Sequence, residues 1–455
     1  MSRWVACAVA ALWLSSCHEQ AVESTVAPTP TTSSGAEAAP AASVDAPPGI
    51  ARNATPEEQA QIDELLRAAE AVRQLRLRTP VTVEIEDGDA IAASLRSQID
   101  ATELERARII YGALGLLDAE SDLQGMFAGV LGEQVIGYYD PDTRRLVVRD
   151  SVMAAIAGDP TAEATQEAKL VLIHELVHAL QDQRLGLGES YERDRTADGD
   201  NAFRSVVEGD ATLAMLAHAL RQQGIPLSAA TDGIQQMGSY LDLNALVRGE
   251  KLDDAPAIVR VTLVAPYLRG LQFIAAVHGR GGWPAVNNAH RRPPASSEQV
   301  LHPEKYFRRE SVESFEVAEH PQVRKTGFKR VEVDTLGELE LSVYLGQLSE
   351  GETDAVAAAG WAGDQLAVYR RNDELAVVWW TTWDTEGDAQ EAFEAARAVS
   401  PRNSRATVER RGRSVLIVRG LPAKLHREAK GLFDTFAREV MSRPAPPSIR
   451  PSPVY

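Results

Sequence analysis

Lys169-Leu170-Val171-Leu172-Ile173-His174-Glu175-Leu176-Val177-His178-Ala179-Leu180-Gln181-Asp182-Gln183 is the stretch on which the reading of this chain turns. Leu170, Val171, Ile173, Leu176, Val177 and Leu180 recur at helical spacing, which predicts a helix with an apolar stripe. We place it from Pro160 to Arg184, with Asp159 as N-cap, Pro160 in the first turn, and Gly186 and Gly188 as stops. On such a helix His174 and His178 share one face, about one turn apart. Two imidazoles so placed can bind one Zn²⁺, and Glu175 between them can act as general base on a metal-bound water. The plain alternative is a core helix with two histidines and an unpaired Glu175. It is awkward, because a buried unpaired carboxylate is costly.

A tetrahedral catalytic zinc takes a third protein ligand and leaves its fourth position to water. The extended metzincin pattern is excluded, because it needs a histidine where this chain has Arg184 and a glycine where it has Gln181. Asp182, one turn past His178, suits orienting that histidine better than binding the ion. Glu208 is the expected third ligand. It lies in Ser205-Val206-Val207-Glu208-Gly209-Asp210-Ala211-Thr212, inside a mostly buried helix from Ala202 to Leu220 that Asp200 can cap. Gly209 costs a helix about 1 kcal/mol relative to alanine, so it marks a close approach, expected here against the His-bearing helix. Asp210 is the rival ligand, and a solvated helix face is the plain reading of Glu208.

His174, Glu175, His178 and Glu208 together resemble the gluzincin arrangement, the thermolysin-like class of zinc peptidases. The resemblance implies an α+β fold whose first domain is mainly helical and zincin-like, with a small sheet. It implies Zn²⁺ on His174, His178 and Glu208, with peptide or protein substrates cleaved by a water that Glu175 activates. Many gluzincins carry an aspartate four residues after the glutamate ligand. Here that position is Thr212, which leaves Asp182 or Asp210 to support a histidine. The surroundings also resemble a group of predicted bacterial metallopeptidases of no known substrate. The matching runs are Val135-Ile136-Gly137-Tyr138-Tyr139-Asp140-Pro141, His178-Ala179-Leu180-Gln181-Asp182-Gln183 and Ser297-Glu298-Gln299-Val300-Leu301-His302-Pro303. Gln134 to Tyr139 and Arg145 to Arg149 read as a hairpin. In the resembled class a strand beside the cleft pairs with substrate backbone, and either strand of this hairpin could do so. Tyr240, Tyr267, His290, His302 and Tyr306 are downstream candidates for steadying an oxyanion.

Residues 1–17 look like a bacterial lipoprotein signal. Arg3 precedes an apolar run from Trp4 to Leu14, too short to span a bilayer. Leu14-Ser15-Ser16-Cys17 then resembles a lipobox, which makes Cys17 the acylated residue. Cys7 would leave with the signal, so the mature chain keeps no other thiol and relies on its core instead of disulfides. Residues 18–53, rich in Ala, Pro, Ser and Thr, read as a disordered tether. No other apolar stretch reads as a span. The expectation is an exported protein, lipid-anchored in the cell envelope, and His18 in place of an aspartate after Cys17 points to the outer membrane.

The metallopeptidase domain is expected over 54–322, a smaller α+β domain over 323–443 and a disordered tail over 444–455. The first opens with a helix capped at Thr55-Pro56-Glu57-Glu58. It holds a helix from about Pro266 to His278 and an irregular loop from Arg291 to Tyr306. The second reads helix, hairpin, helix, hairpin, helix, with hairpins from Gln365 to Trp383 and Ala406 to Arg419 and a last helix from Ala423 to Met441. Alternation puts Trp379 and Trp383 on one face and Trp380 on the other. One face is core, and the other is core or a partner surface. A net charge of −18 argues against a nucleic-acid partner. Two other functions compete: a non-catalytic envelope lipoprotein with a structural or vestigial metal site and a partner-binding C-terminal domain, and a zinc hydrolase of a non-peptide amide.

Overall fold

The computed structural model describes residues 51–427 except 119, 192–194, 232, 235–251, 253, 315–318, 320, 349–352 and 401–405, together with 431 and 433. The signal at 1–17 with Cys17, the tether up to 50, Tyr240, most of the expected last helix and the tail at 444–455 lie outside these residues.

Ala51–Asn53 was expected in the tether. It is instead strand β1, paired antiparallel with Thr82–Glu86 (β2), and Arg52 holds the Glu58 carboxylate through two hydrogen bonds of 2.7 Å. Helix α1 (Pro56–Arg73) starts at the expected capping box: Thr55 Oγ1 accepts the Glu58 N–H and Glu58 Oε2 accepts the Thr55 N–H. Then come α2 (Gly88–Gln98), α3 (Ala101–Leu114), α4 (Leu123–Gln134), the hairpin β3 (Gly137–Asp140) and β4 (Arg145–Arg149), and α5 (Asp150–Ile156). The strands order as β1-β2-β4-β3, with β2 and β4 parallel. Alternation divides the side chains between two faces. Val83, Ile85, Tyr139, Leu146 and Val148 pack toward α1 and α5, while Tyr138 and Val147 pack toward α2 and α4.

Helix α6 (Glu163–Leu185) carries the two histidines. It begins at Glu163, not at Pro160, because Asp159 turns inward on Thr161 and accepts from its N–H and hydroxyl at 2.8 and 2.7 Å. It ends as expected at Gly186, whose φ of 72° is the left-handed conformation glycine adopts freely. The apolar stripe understates its burial. Every residue from Val171 to Gln181 is buried, because α1, α5, β3 and the later helix α8 surround it.

After α7 (Leu187–Tyr191), α8 (Ala197–Gln222) starts five residues before the expected Ala202; Thr196 caps it, and Asp200 falls in its first turn. Helix α9 (Ala257–Arg291) replaces the shorter helix expected from Pro266 to His278, so Pro266 sits inside it and not in its first turn. It consists of two runs joined at Gly281 and Gly282, the latter at φ 61°, ψ −159°, a conformation open essentially to glycine alone. Contrary to the sequence reading, α9 is long and apolar enough to cross a membrane, yet 78% of its most apolar window is buried in protein. The expected loop from Arg291 to Tyr306 contains α10 (Ser297–Leu301), capped by Ser296, and α11 (Pro303–Arg308), with proline in its first turn.

The C-terminal part holds α12 (Pro321–Lys325), β5 (Lys329–Asp334), α13 (Gly337–Leu345), α14 (Ala355–Ala358), the hairpin β6 (Trp361–Arg371) and β7 (Glu374–Trp383), α15 (Glu386–Val399), the hairpin β8 (Ala406–Arg411) and β9 (Ser414–Arg419), and α16 (Ala423–Arg427). Both hairpins fall where expected, turning at Asn372 and Gly412, each with positive φ. β5 was not anticipated; it completes an antiparallel sheet ordered β5-β6-β7-β9-β8. Trp361, Trp379 and Trp383 pack with α13, α15 and Ile109 and Ile110 of α3, and Trp380 packs with Phe328, Tyr369 and Leu421 on the other side. Both tryptophan faces are therefore core. The protein is α+β: a mainly helical N-terminal region followed by a sheet-containing C-terminal one.

Candidate metal centre

α6 and α8 bring His174, Glu175, His178 and Glu208 together in the core, each 0% exposed. Glu208 Oε2 lies 3.2 Å from Nε2 of His174 and 3.5 Å from Nε2 of His178. The two rings stand nearly perpendicular, with centroids 4.7 Å apart. Among the described residues, Nδ1 of His174, Nε2 of His178, Oε1 of Glu175 and Oε1 of Glu208 have no hydrogen-bond partner. Buried polar atoms are nearly always paired. Of these four atoms Nε2 of His178 faces Glu208 Oε2, and two imidazoles and a carboxylate meeting at Nε2, Nε2 and Oε2 make a donor set that fits a Zn²⁺ ion.

The charges are strongly coupled. Burial raises the Glu208 pKa, but His178 and His174 outweigh it and hold the carboxyl at about 2. Burial lowers His178, but Glu208 outweighs it and lifts the imidazole to about 9. At His174 burial wins and the pKa falls. Burial pushes Glu175 up to about 8. The Tyr139 N–H donates to Glu175 Oε2 at 3.1 Å. β4 is flanked by β2 and β3, so of the two hairpin strands it is β3, at the end of the sheet order, that lies beside Glu175.

Asp182 was expected to orient His178 and is engaged elsewhere. Its Oδ2 accepts from the Tyr139 hydroxyl at 3.0 Å and its Oδ1 from the Gly188 N–H at 3.2 Å. The side chain on His178 Nδ1 is that of Gln181, at 2.9 Å. Gln181 was missed, although its position three residues after His178 on a helix puts it within reach. Asp210, the rival ligand, turns away to Arg73 (2.6 and 3.0 Å) and His290 (2.8 Å). Burial works to raise its pKa, but the Arg73 guanidinium and the His290 hydrogen bond hold the carboxyl well below the usual range. Gly209 does mark a close approach, but to Gly270 of α9 and not to the His-bearing helix. Of the expected oxyanion partners, Tyr267 stacks on His174 with centroids 5.9 Å apart. His290 is bonded to Asp210, His302 to Glu338 and Tyr306 to the Arg292 carbonyl.

Fold and site together define an α+β protein with a buried His/His/Glu cluster spanning two core helices. Residues 324–429 match a family model described as a domain of unknown function, DUF8575, a span that covers the C-terminal sheet and none of the cluster. No curated protein and no solved structure matches the chain.

Proposed function

We propose that this chain is a zinc-dependent hydrolase of peptide bonds, with His174, His178 and Glu208 holding Zn²⁺. The observation that carries the reading is the meeting of Glu208 Oε2 with Nε2 of both histidines, beside a Glu175 oxygen that has no partner among the described residues. Zinc bound there supplies an acidified water and polarises a carbonyl. Glu175 is tied at Oε2 to the Tyr139 N–H. Its Oε1 is thus left to take a proton from the attacking water and return it to the leaving amine nitrogen.

Protein purified without chelator should carry stoichiometric zinc by elemental analysis. Cleavage of an unfolded protein should stop on zinc removal and return when zinc is restored. Undiminished cleavage by zinc-free protein would refute the assignment. The complete burial of all four groups favours a second reading, a metal brace in a non-catalytic envelope protein. Stoichiometric zinc, no cleavage, and a large fall in Tm on zinc removal would select that reading.

A further inference from the structure

We infer that Gln181 is a positioning residue for this centre, setting the tautomer of His178 through a relay anchored on the buried Asp210–Arg73 pair. The inference rests on the metal-binding reading above. Gln181 is fully buried. Its side-chain nitrogen donates to the Val207 carbonyl and to Asp210 Oδ2, each at 3.0 Å. Both of those atoms only accept, so the amide can face them in one orientation alone. Its oxygen must then face Nδ1 of His178, at 2.9 Å. An amide oxygen only accepts, so His178 Nδ1 carries a hydrogen. That leaves Nε2, the atom turned toward Glu208, as the nitrogen whose lone pair can meet a cation.

The relay also sets the distance between the helices. Val207 precedes Glu208, so the hydrogen bond from Gln181 to its carbonyl ties the His-bearing turn of α6 to the Glu-bearing turn of α8. Asp210, which accepts the second hydrogen bond, cannot swing away. Arg73 grips it with two nitrogens at 2.6 and 3.0 Å, and His290 reaches its Oδ2 at 2.8 Å. A carboxylate touching the histidine directly would add a negative charge at the centre. A neutral amide transmits the constraint and leaves that charge against Arg73.

The test uses the full chain and two readouts. Gln181→Met keeps the bulk of the side chain and removes the three hydrogen bonds. It should weaken Zn²⁺ binding by about 10- to 100-fold in competition with a chromogenic chelator, and should alter the visible spectrum of the Co²⁺-loaded protein. Equal zinc affinity in the two proteins would overturn the inference alone. Failure of the wild-type chain to bind zinc would overturn it together with the metal reading. Long-range ¹H–¹⁵N NMR of the unmodified protein covers a variant that does not fold. Zinc-loaded wild type should show His178 protonated at Nδ1, and a bare Nδ1 would overturn the inference.

Discussion

At the residue scale, the two oxygens of Glu175 have different surroundings. Oε2 accepts the Tyr139 N–H, and Oε1 has no partner among the described residues. Gln at this position can still accept from Tyr139 but cannot hold a proton between water and amine. On the proposed reading Glu175→Gln should therefore still bind zinc while kcat/KM on an unfolded substrate falls by about 100- to 10,000-fold. Unchanged turnover in that variant would remove Glu175 as the base. The grouping of His174, Glu175 and His178 was legible because four residues on a helix is a local distance. The approach of Glu208 followed from an apolar helix carrying an acid through its buried middle. The hydrogen-bond partners were not legible. Tyr139, which takes Asp182 away from His178, lies 43 residues from it, and Arg73, which takes Asp210, lies 137 residues away. No spacing rule connects such distances.

At the scale of elements, the centre depends on how closely α8 approaches α9. A Cβ on Gly209 would fall inside the contact radius of the Gly270 backbone, and one on Gly270 would collide with the Ser205 carbonyl. The two helices thus meet backbone to backbone, one residue from Glu208. Alanine at Gly209 would gain about 1 kcal/mol of intrinsic helix preference, but the neighbour it strikes is main chain and cannot rotate aside. Overpacking of that kind costs about 1–3 kcal/mol, so the clash wins. Gly209→Ala should lower stability to chemical denaturation, and the displacement of α8 should weaken zinc binding with it. A gain in stability would show that the helices do not touch as described. The same crossing explains a misreading. Gly209 announced a close approach, but its partner belongs to a helix reached only after a long excursion of chain. α10 and α11 were hidden for a different reason. Pro293, Pro294 and Pro303 signal breaks, yet Pro303 at a first turn starts a helix as readily as it ends one.

At the scale of the whole molecule, the N-terminal and C-terminal regions are joined through buried carboxyls. Asp198, at the start of α8, accepts the Ser297 N–H at 2.7 Å while its own N–H donates to Thr335. Glu340 of α13 accepts from Asn201 and from the Tyr111 hydroxyl. Behind them, within the C-terminal region itself, Asp364 of β6 accepts the Leu336 and Gly337 N–H groups and two indole N–H groups, from Trp361 and Trp379. The run Ser297 to Pro303 is thus part of this junction, with His302 on Glu338 and Lys305 on Glu298. Burial pushes Asp198 and Glu340 up to about 8, Glu298 to about 7 and Asp364 to about 6. Unfolded carboxyls ionise near about pH 4. Between that pH and the folded value, each group is protonated in the native state and ionised in the unfolded one. The unfolded chain then binds fewer protons, so these groups make stability fall as pH rises through that window. Glu58, lowered to about 2 mainly by its hydrogen bond to Arg52, works in the opposite sense and only at lower pH. Glu340→Gln isolates the effect, because the amide oxygen can still accept from Asn201 and Tyr111 while the side chain no longer ionises. The Tm of the variant should match wild type near about pH 4 and exceed it increasingly toward about pH 8, by on the order of a few degrees. A deficit of the same size at both ends of the range would mean that folding leaves the Glu340 pKa where the unfolded chain has it, and that burial does not keep this acid protonated.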